Sequence, residues 1–281
     1  MHLDEIPIGG ALVRRLVSSQ FPALREAPIR EVRSTGTVNA IYRIGDELCA
    51  RLPRVETWAR DLDKEFEWLP RLGPRLPLRV PEPVFKGVPD EDYPFSWAIY
   101  RWLEGEPYDG TSDERAAARS LAGFVSALRA LDLPADAPRG GRPPLADVDA
   151  MTREALEDDA ALAAWERALD APVWDGERVW IHADLLRPNL LVRAGRLDAV
   201  IDFGGVGAGD PALDVIPAWA VFGRAGRAAY REALGVEDGV WERGRGYALH
   251  QAAMIIPYYR ETNPGFVVHA QRTVAEVLTP E

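Results

Sequence analysis

The sequence predicts an α+β protein of two lobes: a small β-rich N-lobe over residues 1–104 and a mainly helical C-lobe over residues 105–281. Three observations predict it. The 281 residues exceed one average domain of ~150 and suit two. Short β-like runs between residues 29 and 102 surround a single helical stretch. After Gly105 the composition turns to Ala, Leu and Glu at helical period, interrupted by one small strand unit.

The elements follow in order. Gly10–Gln20 reads as a helix whose apolar face is Leu12, Val13, Leu16 and Val17. Ile29–Arg33, Val38–Ile44 and Glu47–Leu52 read as strands, the last two joined by a two-residue hairpin turn at Gly45-Asp46. Thr57–Leu72 is helical. The prolines Pro74, Pro77, Pro81 and Pro83 end it, and strands follow at Val84–Val88 and Phe95–Trp102. In the C-lobe, Glu114–Leu131 and Ala150–Leu169 read as helices around a Pro- and Gly-rich loop, Leu133–Pro144. Strands are expected at Arg178–Ile181, Leu190–Arg193 and Leu197–Phe203, with a turn at Ala194-Gly195. From Pro211 onward the chain reads as helical, interrupted at Gly223–Gly226 and Gly235–Gly239, and Pro257 should kink or break the helix Val240–Thr262.

Composition excludes several classes. Hydrophobic residues at 47% and charged residues at 27% are ordinary for a globular chain. No apolar run reaches the ~18 residues of a membrane span. The segment MHLDEIPIGG has no basic start and no apolar core, so no signal peptide is expected. A single cysteine, Cys49, excludes a disulfide framework and a Cys-rich zinc site. Together these point to the cytoplasm. The net charge of −11 argues against nucleic acid as a partner. It is unevenly placed: residues 1–104 hold 15 Lys+Arg and 16 Asp+Glu, a net of −1, and residues 105–281 hold the remaining 18 and 28, a net of −10. Such a surface would attract a cationic partner, and it also serves solubility.

The chemistry concentrates in WIHADLLRPNLLVRAGRLDAVIDFGG, residues 180–205. Asp184 and Asn189 share one loop between apolar strands, and Asp202 ends the next strand before Gly204 and Gly205. The hairpin would bring Asp202 back beside Asn189. Two carboxylates and an amide oxygen are hard ligands that suit Mg²⁺, completed by phosphate and water. No His or Cys cluster competes for a softer metal. The order His-x-Asp, then Asn five residues after the Asp, then Asp-Phe-Gly matches the phosphoryl-transfer template. In it the first Asp accepts the proton of the attacking hydroxyl, and Asn and the second Asp hold Mg²⁺. The bland alternative is that these three side chains only cap turns.

The segment resembles the aminoglycoside phosphotransferase family, whose members share the two-lobed fold of protein kinases. The family signature His-Gly-Asp-Leu-x-x-x-Asn, Ile-Asp-Phe/Trp and Gly-Asp-Pro-x-x-Asp reads here as HADLLRPN and IDFGGVGAGDPALD, from His182 to Asp214. Ala183 stands where the family has Gly, and Gly205 where many members carry an acidic residue. The Asp-Pro pair predicts Asp210 as a helix cap with Pro211 at the first helical position, and Asp214 as a brace for the catalytic loop. His182 is expected to hold that loop rather than act as a base.

The kinase-like template also needs a cation on an N-lobe strand paired with a helix glutamate. At about 100° per residue, Glu65 falls inside the apolar stripe of Trp58, Leu62, Phe66 and Leu69, while Glu67 faces water. A carboxylate on a buried face needs a partner. On the preceding strand Leu48, Ala50 and Leu52 share one face and Cys49 and Arg51 the other, so Arg51 stands where kinases carry lysine. The chain's two lysines, Lys64 and Lys86, do not fit that place. Some macrolide phosphotransferase-like branches also carry Arg-Leu-Pro at this strand. A plain surface salt bridge is the alternative for Arg51–Glu65.

The resemblance implies further contacts. Ser34, Gly36 and Asn39 occupy the place of the phosphate-covering loop. Backbone groups from Tyr100 to Leu103 would pair with the nucleotide base, and Trp97, Ile99 and Leu103 would line its pocket, with a simple core strand an equal alternative for each side chain. The fold expected is thus protein-kinase-like, with the nucleotide in the cleft. Catalysis would use Asp184 as base and Mg²⁺ on Asn189 and Asp202, with ATP or GTP as donor. The acceptor is a small-molecule hydroxyl, first an aminoglycoside-type polycation. A macrolide or an endogenous sugar or amino alcohol is the alternative, and a catalytically silent nucleotide binder the counter-reading. Acceptor-contact candidates are the acidic run Glu154–Ala160 and the stretch Pro257–Pro264.

Overall fold

The computed structural model describes residues 6–32, 39–110 and 113–280. The chain separates into two compact units. The first comprises the residues up to Arg75, Arg79–Glu104 and Ile201–Gly204; the second comprises Leu76–Leu78, Gly105–Val200 and the residues from Gly205. The short piece Ile201–Gly204, which the sequence places in the C-lobe, belongs to the first unit.

The first unit begins with helix α1 (Gly10–Gln20), followed by strands β1 (Ile29–Val32), β2 (Asn39–Ile44) and β3 (Leu48–Pro53). Helix α2 (Glu56–Leu72) comes next, then β4 (Pro83–Gly87) and β5 (Trp97–Arg101). The five strands form one antiparallel sheet in the order β1-β2-β3-β5-β4. Strand alternation sorts the side chains. Tyr42, Ile44, Ala50, Leu52, Trp97 and Ile99 pack with Val13, Leu16 and Val17 of α1 in one apolar core. Cys49, Arg51 and Tyr100 alternate to the other face, where Phe66 of α2 meets the Tyr100 ring edge-on at 5.9 Å. The turn between β2 and β3 has three residues rather than two. Ile44 pairs with Leu48, and Gly45 takes φ +58°, a left-handed conformation that glycine adopts without strain.

In the second unit, strand β6 (Glu106–Pro107) precedes helices α3 (Glu114–Arg129), α4 (Asp149–Ala155) and α5 (Asp159–Leu169). Strands β7 (Val179–Ile181), β8 (Leu190–Arg193), β9 (Arg196–Val200) and β10 (Gly207–Gly209) follow. Helices α6 (Pro217–Ala220), α7 (Arg224–Leu234), α8 (Asp238–Tyr259) and α9 (Pro264–Leu278) complete the chain. The strands make two small sheets, β6-β8-β9 and β7-β10. The helices pack around Trp165, Trp219, Trp241, Phe222 and Tyr230, all fully buried.

Three sequence expectations change here. Ala150–Leu169 is two helices, because Leu156 is extended and Asp158 caps α5 by accepting from Ala161 N–H at 3.0 Å. The crowding of Glu154, Glu157, Asp158 and Asp159 also disfavours one continuous helix. Strand β9 stops at Val200 instead of Phe203, since Asp202 turns to φ +67°. Pro257 lies inside α8, and that helix ends two residues later at Tyr259.

Candidate active site

The loop after β7 is locked from below. Asp214, fully buried, accepts from the backbone N–H of His182 through Oδ2 at 2.9 Å and of Ala183 through Oδ1 at 2.8 Å. His182 in turn accepts the Asp184 N–H on Nδ1 at 3.3 Å. Asp210 caps the next turn by accepting from Ala212 N–H at 2.9 Å, and its carboxylate meets Arg243 from Nε at 3.0 Å and Nη2 at 3.1 Å. Two acidic residues of the Gly-Asp-Pro-x-x-Asp motif therefore hold backbone. Ala183 sits at φ +67°, where the family's glycine is unstrained and an alanine is not. Gly205 has a local reason: a Cβ there would stand 2.9 Å from the His182 carbonyl oxygen, so the acidic side chain of other members does not fit.

Asp184 is held on both sides. Asn189 Nδ2 donates to Asp184 Oδ2 at 3.0 Å and to its backbone oxygen at 2.9 Å. Gln251 of α8 donates from Nε2 to Oδ1 at 3.1 Å, and Arg142 Nη2 lies 3.8 Å from the same oxygen. Because the Asn189 nitrogen is turned to Asp184, its carbonyl oxygen is the atom left for a cation. Strand β8 starts directly after Asn189, and its first residue, Leu190, pairs with Val200 at the end of β9.

In the first unit Arg51 is the hub. Its Nη1 donates to Glu65 Oε1 at 2.7 Å and its Nη2 to Asp202 Oδ1 at 2.8 Å. Asn39, with its amide oxygen turned to the guanidinium, accepts from Arg51 Nε at 2.9 Å and Nη2 at 3.0 Å. Glu65 is fully buried, and its second oxygen accepts from the Tyr100 hydroxyl. Burial alone would lower the Arg51 pKa; Glu65 and Asp202 outweigh it and hold the guanidinium well above its ordinary value. Burial, reinforced by Glu65, pushes the Tyr100 phenol up. Lys64 donates to the Gly204 carbonyl and lies 3.4 Å from Asp61, whose pKa is raised by burial against the pull of Lys64. Burial pushes the Cys49 thiol up to about 11, so it is no nucleophile at neutral pH.

The structure thus brings together Arg51, Glu65, Asn39, Tyr100 and Asp202 in one unit, and Asp184 and Asn189 in the other. Ser34 and Gly36 lie outside the described residues. The Tyr100 hydroxyl donates to Glu65, while its backbone is paired in the sheet with Cys49 on β3 and Pro83 on β4. Trp97 and Ile99 are corrected: they point into the α1 core, on the sheet face opposite Arg51, and line no pocket beside it. Leu103 lies just past β5 and is half-buried. The acidic run Glu154–Ala160 supplies the α5 cap, and Asn263 of the other candidate stretch caps α9 by accepting from Phe266 N–H at 3.2 Å. Sequence reasoning missed Gln251, Arg142, Lys64 and Asp61. Gln251 left one signal, an amide directly before the apolar run Ala252–Ile256.

The Asn189 carbonyl oxygen in the second unit and the Asp202 carboxylate in the first are each hard oxygen donors of the kind Mg²⁺ takes. No cluster of three or more His, Cys, Asp or Glu side chains that could cage a metal exists among the described residues. A softer or fully caged metal is not what these side chains are built for.

No curated protein matches the sequence. The family model described as a phosphotransferase enzyme family matches residues 30–249. Among solved structures, the GDP complex of an aminoglycoside 2'-phosphotransferase of type IIIa is similar at TM-score 0.76 and 18% identity, covering 96% of this chain and 99% of that one. A ternary complex of a related aminoglycoside phosphotransferase with streptomycin and ATP is similar at TM-score 0.65 and 16% identity, covering 98% of each chain. A macrolide 2'-phosphotransferase from Brachybacterium faecium is similar at TM-score 0.61 and 23% identity, covering 95% and 98%. With more than three-quarters of its length matched by the family model, the chain belongs to the phosphotransferase enzyme family.

Proposed function

We propose that the protein transfers the γ-phosphoryl group of ATP or GTP to a hydroxyl of a small molecule in the cytoplasm. Asp184 accepts the hydroxyl proton as the acceptor oxygen bonds the γ-phosphorus. The bond from that phosphorus to the β–γ bridging oxygen breaks, and the nucleoside diphosphate leaves with the electron pair. Asn189 and Asp202 would each serve as a ligand for Mg²⁺, which when bound would offset charge on the β- and γ-phosphates. Arg51, held by Asn39 and by the Glu65 that Tyr100 also bonds, orients the phosphates; Ser34, Gly36 and Leu103 complete the nucleotide contacts. Most of the rate then comes from positioning and fixed charge.

The observation that carries this reading is the braced catalytic loop: Asp214 grips the backbone before Asp184, and Asn189 grips its carboxylate. Replacing Asp184 with Ala is expected to lower turnover by about 10³-fold and to leave Mg-nucleotide binding intact. Turnover that persists in that variant removes Asp184 from its role. Saturable nucleotide binding without turnover by the wild-type chain, across a broad acceptor panel, would favour the silent binder instead.

For the acceptor, an aminoglycoside-type antibiotic comes first. The net charge of −10 over residues 105–281 suits a polycation, and similar folds are known with aminoglycosides bound. A small recess in the second unit, of about 20 Å³, is lined mostly by apolar side chains, among them Leu186, Ala248, Ala252, Ile255 and Phe266, beside Arg187. It is too small to seat an acceptor, so a macrolide or an endogenous sugar or amino alcohol is kept as the alternative. Acceptor-dependent nucleotide turnover with aminoglycosides, macrolides and amino alcohols in parallel separates the two. No helix among the described residues is long and apolar enough to cross a membrane.

A further inference from the structure

We infer that Gln251 is a positioning residue for Asp184, the far half of a two-sided amide clamp on the reacting carboxylate; the inference rests on the phosphotransfer reading above. Asp184 meets two amide nitrogens. Asn189 Nδ2 bonds Oδ2 at 3.0 Å from within the same loop, 5 residues away. Gln251 Nε2 bonds Oδ1 at 3.1 Å from helix α8, 67 residues away. An amide hydrogen bond on each oxygen resists rotation of the carboxylate. Each oxygen keeps further lone-pair capacity for an incoming proton.

Gln251 is suited to this task. It is 6% exposed, so its amide must find its partners inside the protein. It stands on the most deeply buried stretch of α8, where residues 246–253 are all buried and the backbone has little freedom to move. It also lines the recess of Leu186, Ala248, Ala252, Ile255 and Phe266, so it joins the wall of that recess to the carboxylate. Arg142, from the loop after α3, adds a charge 3.8 Å from the oxygen that Gln251 holds. A glutamine kept only for packing has no need of a bond to the one carboxylate that the reaction uses.

The test compares the full-length wild type with Gln251→Met and Gln251→Glu. Both substitutes match the shape of glutamine. Met removes the donor, and Glu presents a like-charged oxygen to Asp184. The expected result is a fall in kcat of about tenfold for Met and about hundredfold or more for Glu, from losing and then reversing a bond to a charged group. The KM for Mg-nucleotide should stay within about twofold in both. Thermal melting and direct nucleotide binding of each variant are measured alongside. Gln251→Met at wild-type kcat overturns the inference while leaving the phosphotransfer reading standing. Losses of kcat that track losses of melting temperature or nucleotide affinity also overturn it, since they mark a packing role. A wild-type chain that transfers phosphoryl to no acceptor overturns the phosphotransfer reading itself, and this inference with it.

Discussion

Ala183 and Arg51 carry the sharpest consequences at the scale of single residues. Ala183 pays a left-handed backbone at φ +67° directly before Asp184. Ala183→Gly should stabilise the protein by about 0.5–1 kcal/mol, the relief of the αL strain less the added freedom of the unfolded chain. A melting temperature raised by a few degrees with unchanged kcat would bear this out; a lower one would not. Arg51 holds three partners at once: Glu65, Asp202 and Asn39. Arg51→Ala leaves the fully buried Glu65 without its cation and should cost about 3 kcal/mol in denaturant unfolding. Arg51→Lys keeps the charge but cannot span the three partners with one ammonium. It should fold, and raise the KM for nucleotide about tenfold in steady-state kinetics.

Local rules decide the elements where they act within a few residues, and packing decides the rest. The Asp158 cap divides what composition alone reads as a single helix, so Asp158→Ala should destabilise by about 1 kcal/mol, with the loss of helix signal confined to α5. Hydrogen exchange across residues 159–169 checks this; protection equal to the wild type would refute it. Helices α4, α5 and α8 meet at His250. The Thr152 hydroxyl donates to Val148 O at 2.7 Å, so it accepts the His250 Nδ1–H at 2.8 Å, with the Trp165 ring beside them at 6.3 Å. The pattern was legible for α1, whose bounds match the periodicity, and for the two faces of β3. It was not legible for β10, three residues of Gly-Ala-Gly that become a strand only because β7 lies alongside.

For the molecule as a whole, that joint predicts an acid response. Burial, helped by Arg142, lowers the His250 pKa to about 4. The unfolded chain has the ordinary value near ~6.5, so on acidification it takes up the proton first. The histidine's share of stability is complete above pH ~6.5 and is lost as the pH falls toward 4, on the order of 3 kcal/mol in full. Denaturant unfolding of wild type and His250→Asn between pH 7 and 4.5 should show a flatter profile for the variant; parallel profiles would refute the assignment.

The sequence by itself determined the two-part organisation, the strand faces and the order of Asp184, Asn189 and Asp202, together with the pairing of Arg51 and Glu65. These rest on alternation, helical period and short motifs, which act over a few residues and leave a periodic trace. Only the tertiary structure decided that Arg51 also binds Asp202, 151 residues away, and that Gln251 reaches Asp184. It alone turned Trp97 and Ile99 away from Arg51's face and gave Gly205 its steric reason. Such contacts join residues far apart in the chain. They follow from how whole elements pack, and packing leaves no periodicity in the sequence to read.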